Sequence, residues 1–286
     1  MQKGTTATLL ISCADQPGLV AAVSEFVFKH GGSILSADQH TDQREGMFLQ
    51  RVEWGLGGFA LDRGAIAHEF SKVASRFGMQ WKLRFSDQRL KVAVLVSKQS
   101  HCLYDLLARW RAGELHADIK IVLSNHPDLA NVARCFGLPF EHYPVDAENK
   151  AAQEQKLLDV LNAHQIDLVV LARYMQILSD DFVARFPKRI INIHHSFLPA
   201  FAGAKPYHRA HARGVKLIGA TAHYVTADLD EGPIIAQDVT RITHRDAVDD
   251  LIAKGKDLEK IVLSRAVGWH LGARVIVYGN RTVVFA

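Results

Sequence analysis

Cysteine is scarce in this 286-residue chain. Cys13, Cys102 and Cys135 stand singly, without the paired spacing of a zinc site and without an even set for a disulfide framework. The three thiols are therefore expected to be small buried hydrophobes in a reducing compartment. Long apolar runs are missing as well: none approaches the ~18 residues that span a bilayer, and Met1–Thr6 lacks the apolar stretch of a secretory signal. The expected location is the cytoplasm, with no membrane partner. Charge of one sign does not dominate either, since 34 Lys and Arg face 30 Asp and Glu for a net +4, interspersed along the chain. Without a basic stripe, nucleic acid is not an expected partner. Internal repeats and low-complexity segments are absent too.

What is present fits a chain of two domains with packed cores: 48% of the residues are hydrophobic, and ~100–200 residues per domain is the usual size. Ala7–Cys13 is strand-like, and Asp15-Gln16-Pro17-Gly18 is a turn that starts a helix running to Lys29-His30. Gly31-Gly32 stops it. Ser33–Thr41 and Met47–Trp54 read as strands around a polar connection, Leu61–Phe77 has a helical period ended by Gly78, and Gln80–Phe85 alternates as an edge strand would. The order βαββαβ over residues 1–85 describes a ferredoxin-like plait.

Ser86-Asp87-Gln88-Arg89 is a short polar junction, and a second domain is expected over residues 90–286. Strands at Leu90–Ser97, Ile119–Leu123, Phe140–Tyr143 and Leu168–Leu171 alternate with helices at Cys102–Ala112, Leu129–Phe136 and Ala151–His164, the pattern of a Rossmann-like parallel sheet wrapped by crossover helices. A long helix at Asp246–Trp269 and a hairpin at Arg274–Phe285 close the chain.

The segment richest in chemistry is Ile191-Asn192-Ile193-His194-His195-Ser196-Phe197-Leu198-Pro199, answered downstream by His223-Tyr224-Val225 and Leu229-Asp230-Glu231-Gly232-Pro233. An amide, an imidazole and a carboxylate are the group types needed to stabilise an oxyanion, move a proton and tune the mover. Their place is also right, because Arg189–Ile193 reads as a strand that ends in polar groups, and open α/β sheets present their sites at strand ends.

These motifs resemble the folate-dependent formyl transferase and hydrolase family, in which an Asn-x-His at a strand end and a later Asp before Gly-Pro form the catalytic trio. The resemblance implies Asn192, His194 and Asp230 as that trio, with His223 supporting the aspartate. Leu171-Ala172-Arg173-Tyr174-Met175-Gln176-Ile177-Leu178-Ser179 is similar to the family loop whose backbone holds a pterin ring, which implies Gln176, Ile177 and Leu178 as substrate-binding residues. Residues 6–85 resemble an ACT domain, a small regulatory module that pairs with a second copy. Asp15, Gly18 and Gly31 fall in its loop signatures, which implies an amino-acid effector and a homo-oligomer.

Family members that transfer the formyl group to a phosphorylated amine carry a glycine-rich first βα turn, whereas this chain has Ser97-Lys98-Gln99-Ser100-His101-Cys102. Water remains as the acceptor. The fusion implies hydrolysis of 10-formyltetrahydrofolate to formate and tetrahydrofolate, serving one-carbon and purine metabolism, with folate as substrate and neither cofactor nor metal. Three other readings compete with it: formyl transfer to an unidentified amine, a metal-dependent hydrolase built on His194, His195, His208, His211 and His223, and a catalytically inactive amino-acid sensor. His195, Lys205, His208 and His211 are expected in a loop capping the substrate pocket.

Overall fold

A computed structural model describes residues 4–199 and 206–286. The chain divides into two compact units, Met1–Arg89 with Gly272–Ala286, and Leu90–Leu271.

The first unit runs β1 (Thr6–Ala14), α1 (Leu19–Lys29), β2 (Ile34–Asp42), β3 (Met47–Gly55), α2 (Arg63–Phe77) and β4 (Gln80–Phe85). Its antiparallel sheet has the order β2-β3-β1-β4 expected of the plait, with β4 at an edge. Alternation in β1 sends Leu9, Ile11 and Cys13 to the face where α1 contributes Val23, Phe26 and Val27 and α2 contributes Ile66 and Phe70. Helix α2 starts where the Asp62 carboxylate accepts the Ala65 N–H at 2.8 Å. The turn before α1 uses other chemistry, because Gly18 at φ +92° occupies the cap position and no side chain caps the helix.

The C-terminal hairpin corrects the expected boundary of residues 90–286. Strands β12 (Val275–Tyr278) and β13 (Arg281–Val284) belong to the first unit. The reason lies in the other face of the plait. Both helices cover one side of the sheet, and Leu10 and Leu49 on the opposite side would remain wet without Ala273 and Ile276 against them. Two polar ties hold the hairpin in place: Arg51 Nε donates to the Ala273 carbonyl at 3.0 Å, and the Tyr278 hydroxyl donates to Asp42 at 3.0 Å.

The second unit contains β5 (Leu90–Val96), α3 (His101–Arg111), β6 (Ala117–Ser124), α4 (Ala130–Cys135), β7 (Phe140–His142), α5 (Lys150–Ala163), β8 (Leu168–Leu171), α6 (Asp180–Arg185), β9 (Ile190–His194), α7 (Pro206–Arg213), β10 (Leu217–Tyr224), β11 (Ile234–Arg241) and α8 (Val248–Leu271). Sheet order is β11-β10-β9-β8-β5-β6-β7. Strands β5 to β9 are parallel, and β5 and β8 are near-continuous apolar runs, as strands covered on both faces must be. The last two strands depart from the expected all-parallel sheet. Strand β10 begins beside the end of β9, with Thr221 opposite His194, so it runs back antiparallel, and β11 then reverses against it.

Cys13 and Cys102 are buried as expected, whereas Cys135 is exposed. It is the last residue of α4, whose buried residues are Val132 and Ala133. Among the described residues, no helix is long and apolar enough to cross a membrane.

Candidate active site

Strands β8 and β9 end beside one another, Leu171 opposite Asn192, and a cavity of about 670 Å³ opens over these ends within the second unit. Asn192, His194, His223 and Asp230 all line it, as do Gln176, Ile177 and Leu178. Met175 and Ile177 are 57% and 59% exposed, free apolar surface that a flat ring could cover. The 171–179 loop is fixed from behind. Ser97 Oγ accepts the Met175 N–H at 2.9 Å while donating to Asn125 at 2.6 Å, and the buried Glu154 accepts the Ser179 N–H at 3.0 Å.

His194 is buried, with Nδ1 3.1 Å from Asp230 Oδ2. Its Nε2 is buried without a hydrogen-bond partner among the described residues. An imidazole tied to a carboxylate at one nitrogen and open at the other is set up to accept or deliver a proton at the open one. His223 lies between the other two groups. Its Nδ1 donates to the Tyr224 carbonyl at 3.0 Å, and its Nε2 lies 3.3 Å from the Asn192 amide nitrogen. The Asn192 amide carries two hydrogens, so one can serve a ligand. The same Nε2 is 3.6 Å from Asp230 Oδ1. His223 therefore touches both the amide and the carboxylate, a wider contact than the support of the aspartate expected from the sequence.

Burial tends to raise the Asp230 carboxyl, but contacts with His194 and His223 outweigh it and hold the group well below the ordinary carboxylate range. Its backbone sits in the left-handed region at φ +58°, which Asp tolerates better than most residues. The loop that delivers it depends on Gly232: a Cβ there would lie 1.8 Å from the Tyr224 carbonyl oxygen.

A second polar group lines the same cavity, and the sequence reading passed over it. Glu259 of α8, only 1% exposed, accepts the Tyr207 hydroxyl at 2.8 Å and pairs with His101 at 2.7 Å, with Arg173 Nε 3.4 Å away. Burial raises its carboxyl and these partners more than reverse that, leaving it below the usual range. Tyr207 reaches Glu259 only because α8 has Gly255, whose Cβ would meet the phenol oxygen at 2.0 Å. The signal was available: an acid in register with the apolar positions Leu251, Gly255, Leu258 and Val262 of a helix demands a buried partner. Arg173, at φ +65° and 7% exposed, stands directly after the apolar β8 run.

Of the residues expected in a capping loop, His195 and His208 line the cavity, but His195 directly follows β9 and His208 sits on helix α7, and His211 on the same helix does not line it. Lys205 lies outside the described residues. The five histidines offered as a metal cluster do not bring three donors together. Among the described residues, the one group close enough is His101, Cys102 and Glu259, and there the Glu259 oxygens already serve His101 and Tyr207 beside a guanidinium. In the first unit, Asp15 and Gly18 line a separate cavity of about 400 Å³ with Gln39 and Thr41. Gly31 does not line it, and at φ +72° just past α1 it serves the turn.

Fold and site define the second unit as a formyl transferase domain. The family model of that description matches residues 90–267, and the ACT domain model matches residues 7–54. Over 281 residues the chain is 59% identical to formyltetrahydrofolate deformylase of Synechocystis sp., covering 98% of this chain and 99% of the relative. The Bacillus subtilis protein of that name is 49% identical, covering 97% of this chain and 93% of the relative. The crystal structure of a formyltetrahydrofolate deformylase from Pseudomonas syringae superposes with a TM-score of 0.98 at 45% identity, covering 100% of this chain and 96% of that one. The chain belongs to the formyltetrahydrofolate deformylases of the formyl transferase family.

Proposed function

We propose that the chain hydrolyses 10-formyltetrahydrofolate to formate and tetrahydrofolate, with Asn192, His194 and Asp230 as its catalytic residues. The observation that carries this reading is the buried, unpartnered Nε2 of His194, which lines the cavity while Nδ1 faces Asp230. The pterin packs along the 171–179 loop, where Gln176, Ile177 and Leu178 offer backbone groups and free apolar surface. Asn192, its amide held by His223, donates to the formyl oxygen as negative charge gathers there, a contact worth roughly 3 kcal/mol in the transition state. His194 Nε2 takes a proton from the attacking water and delivers it to N10 as the C–N bond breaks. Asp230 keeps the Nδ1 proton in place and offsets the positive charge of the imidazolium. The scheme needs no cofactor, and water is the second substrate.

The ACT-like unit would bind a small amino acid near Asp15 and Gly18 and pair with a second copy, so a homo-oligomer is part of the reading, as is a cytoplasmic site of action. Incubating the protein with 10-formyltetrahydrofolate alone tests the central reaction. Formate and tetrahydrofolate should appear in equal amounts. Turnover only after addition of an amine would replace hydrolysis with transfer, and activity lost to chelators and restored by zinc would replace the imidazole scheme with a metal one.

A further inference from the structure

We propose that His195 holds the attacking water jointly with His194, making the pair, and not His194 alone, the water-handling element of this site. The inference rests on the hydrolytic reading above. A water poised for attack needs its position fixed by more than one polar partner. If His194 Nε2 accepts one of its protons, the other requires a second acceptor, and Asn192 and Asp230 are committed to the formyl oxygen and to His194.

His195 meets the requirement geometrically. It lines the same cavity as His194, with ring centroids 5.1 Å apart, a separation that one water can bridge between two ring nitrogens. A neutral imidazole keeps a lone pair on one ring nitrogen, so His195 can act as an acceptor toward the cavity. Its opposite side packs on Tyr207 at 6.2 Å between ring centroids, and the Tyr207 hydroxyl is anchored to Glu259. The buried group of Glu259, His101 and Arg173 thus backs the ring. Burial first, then the neighbouring Arg173 and His194, lower His195 to about 4. A neutral ring retains a lone pair for the water proton and adds no charge against the imidazolium forming on His194. The attacking oxygen bonds to the formyl carbon, its proton passes through His194 to N10, and the proton facing His195 is held by a hydrogen bond without being transferred.

Two acceptors in one active site distinguish this role from a purely structural one. Hydroxylamine attacks through nitrogen, breaks the same C–N10 bond and returns a proton to N10 through His194, but it does not need a water held between two imidazoles. In His195→Phe, kcat for formate release is expected to fall about 100-fold at nearly unchanged KM. Formylhydroxamate production from added hydroxylamine should remain within a few-fold of wild type, so the hydroxamate-to-formate ratio rises. His195→Gln, which restores an acceptor, should regain part of the hydrolysis and serves as the primary variant if His195→Phe does not fold. Formate release unchanged in the folded variants, or both products lost in parallel, overturns the proposal. A wild-type protein that releases no formate would instead overturn the hydrolytic reading itself.

Discussion

Asp230 holds its charge in a half-buried place and its backbone in a conformation few residues favour. Asn tolerates that backbone as well as Asp does, so Asp230→Asn removes charge with little change of shape. Turnover is expected to fall ~100-fold or more while folate affinity, measured by fluorescence quenching, stays within a few-fold. Loss of affinity in parallel would make Asp230 a binding residue. His195 supports a prediction about acid stability. Its folded-state value near 4 lies below the roughly 6.5 of an unfolded histidine. As pH falls from about 6.5 to about 4 the unfolded chain therefore binds this proton first, and stability is lost across that window. Melting temperature should decline less steeply over this range in His195→Asn than in wild type, and equal slopes would count against a buried neutral ring. At this scale the meeting of Asn192, His194 and Asp230 around one cavity was legible, because the family resemblance, a strand end and a turn all point to them. Glu259 was not read, although its register with the apolar positions of α8 marks it as buried, because its partners at positions 101, 173 and 207 lie on other elements.

Two connections determine how well the site is assembled. The loop from Val225 to Pro233 returns so tightly on β10 that the Tyr224 N–H donates to the Pro233 carbonyl at 2.9 Å, with Gly232 pressed on the Tyr224 carbonyl. Gly232→Ala cannot keep that closure. It should destabilise the fold by about 1–3 kcal/mol and misplace Asp230, with kcat reduced at least as strongly as in Asp230→Asn. Normal turnover by a folded Gly232→Ala would show that the loop has slack. On the other side of the cavity, Ser97→Ala leaves the Met175 N–H and the buried Asn125 without their shared partner, at a cost of about 1–3 kcal/mol. Because the 171–179 loop is the proposed seat of the pterin, away from the scissile bond, KM should rise while kcat holds. Helix periods and strand alternation located most elements to within a few residues, whereas α6, α7, β11 and most of β10 were not assigned. The reversal at β10 escaped the sequence, because strand direction depends on where the connecting chain ends in space, and residues 195–216 carry no local mark of that.

The two-unit division makes a further prediction about the whole chain. The proposed catalytic residues all fall within Leu90–Leu271, whereas Ala273 and Ile276 are packed against the first unit's sheet. A protein cut to residues 90–271 should fold and release formate. One cut to residues 90–286 should carry the same activity with an unpaired apolar hairpin, and light scattering should show it aggregating sooner. If removal of the first unit leaves the number of subunits unchanged, that unit is not the assembly element. The boundary after Phe85 was readable from its polar junction, but the return of the chain was not, because a four-residue strand on either side of Gly279-Asn280 fits any sheet face.

That return means the first unit is begun first and finished last. During synthesis its plait leaves the ribosome with Leu10 and Leu49 uncovered and Arg51 Nε without the Ala273 carbonyl. They stay so until the whole catalytic unit has followed and the hairpin emerges. A premature stop in the final fifteen codons, Gly272 to Ala286, would therefore spare every residue of the active site and damage the module at the opposite end of the gene.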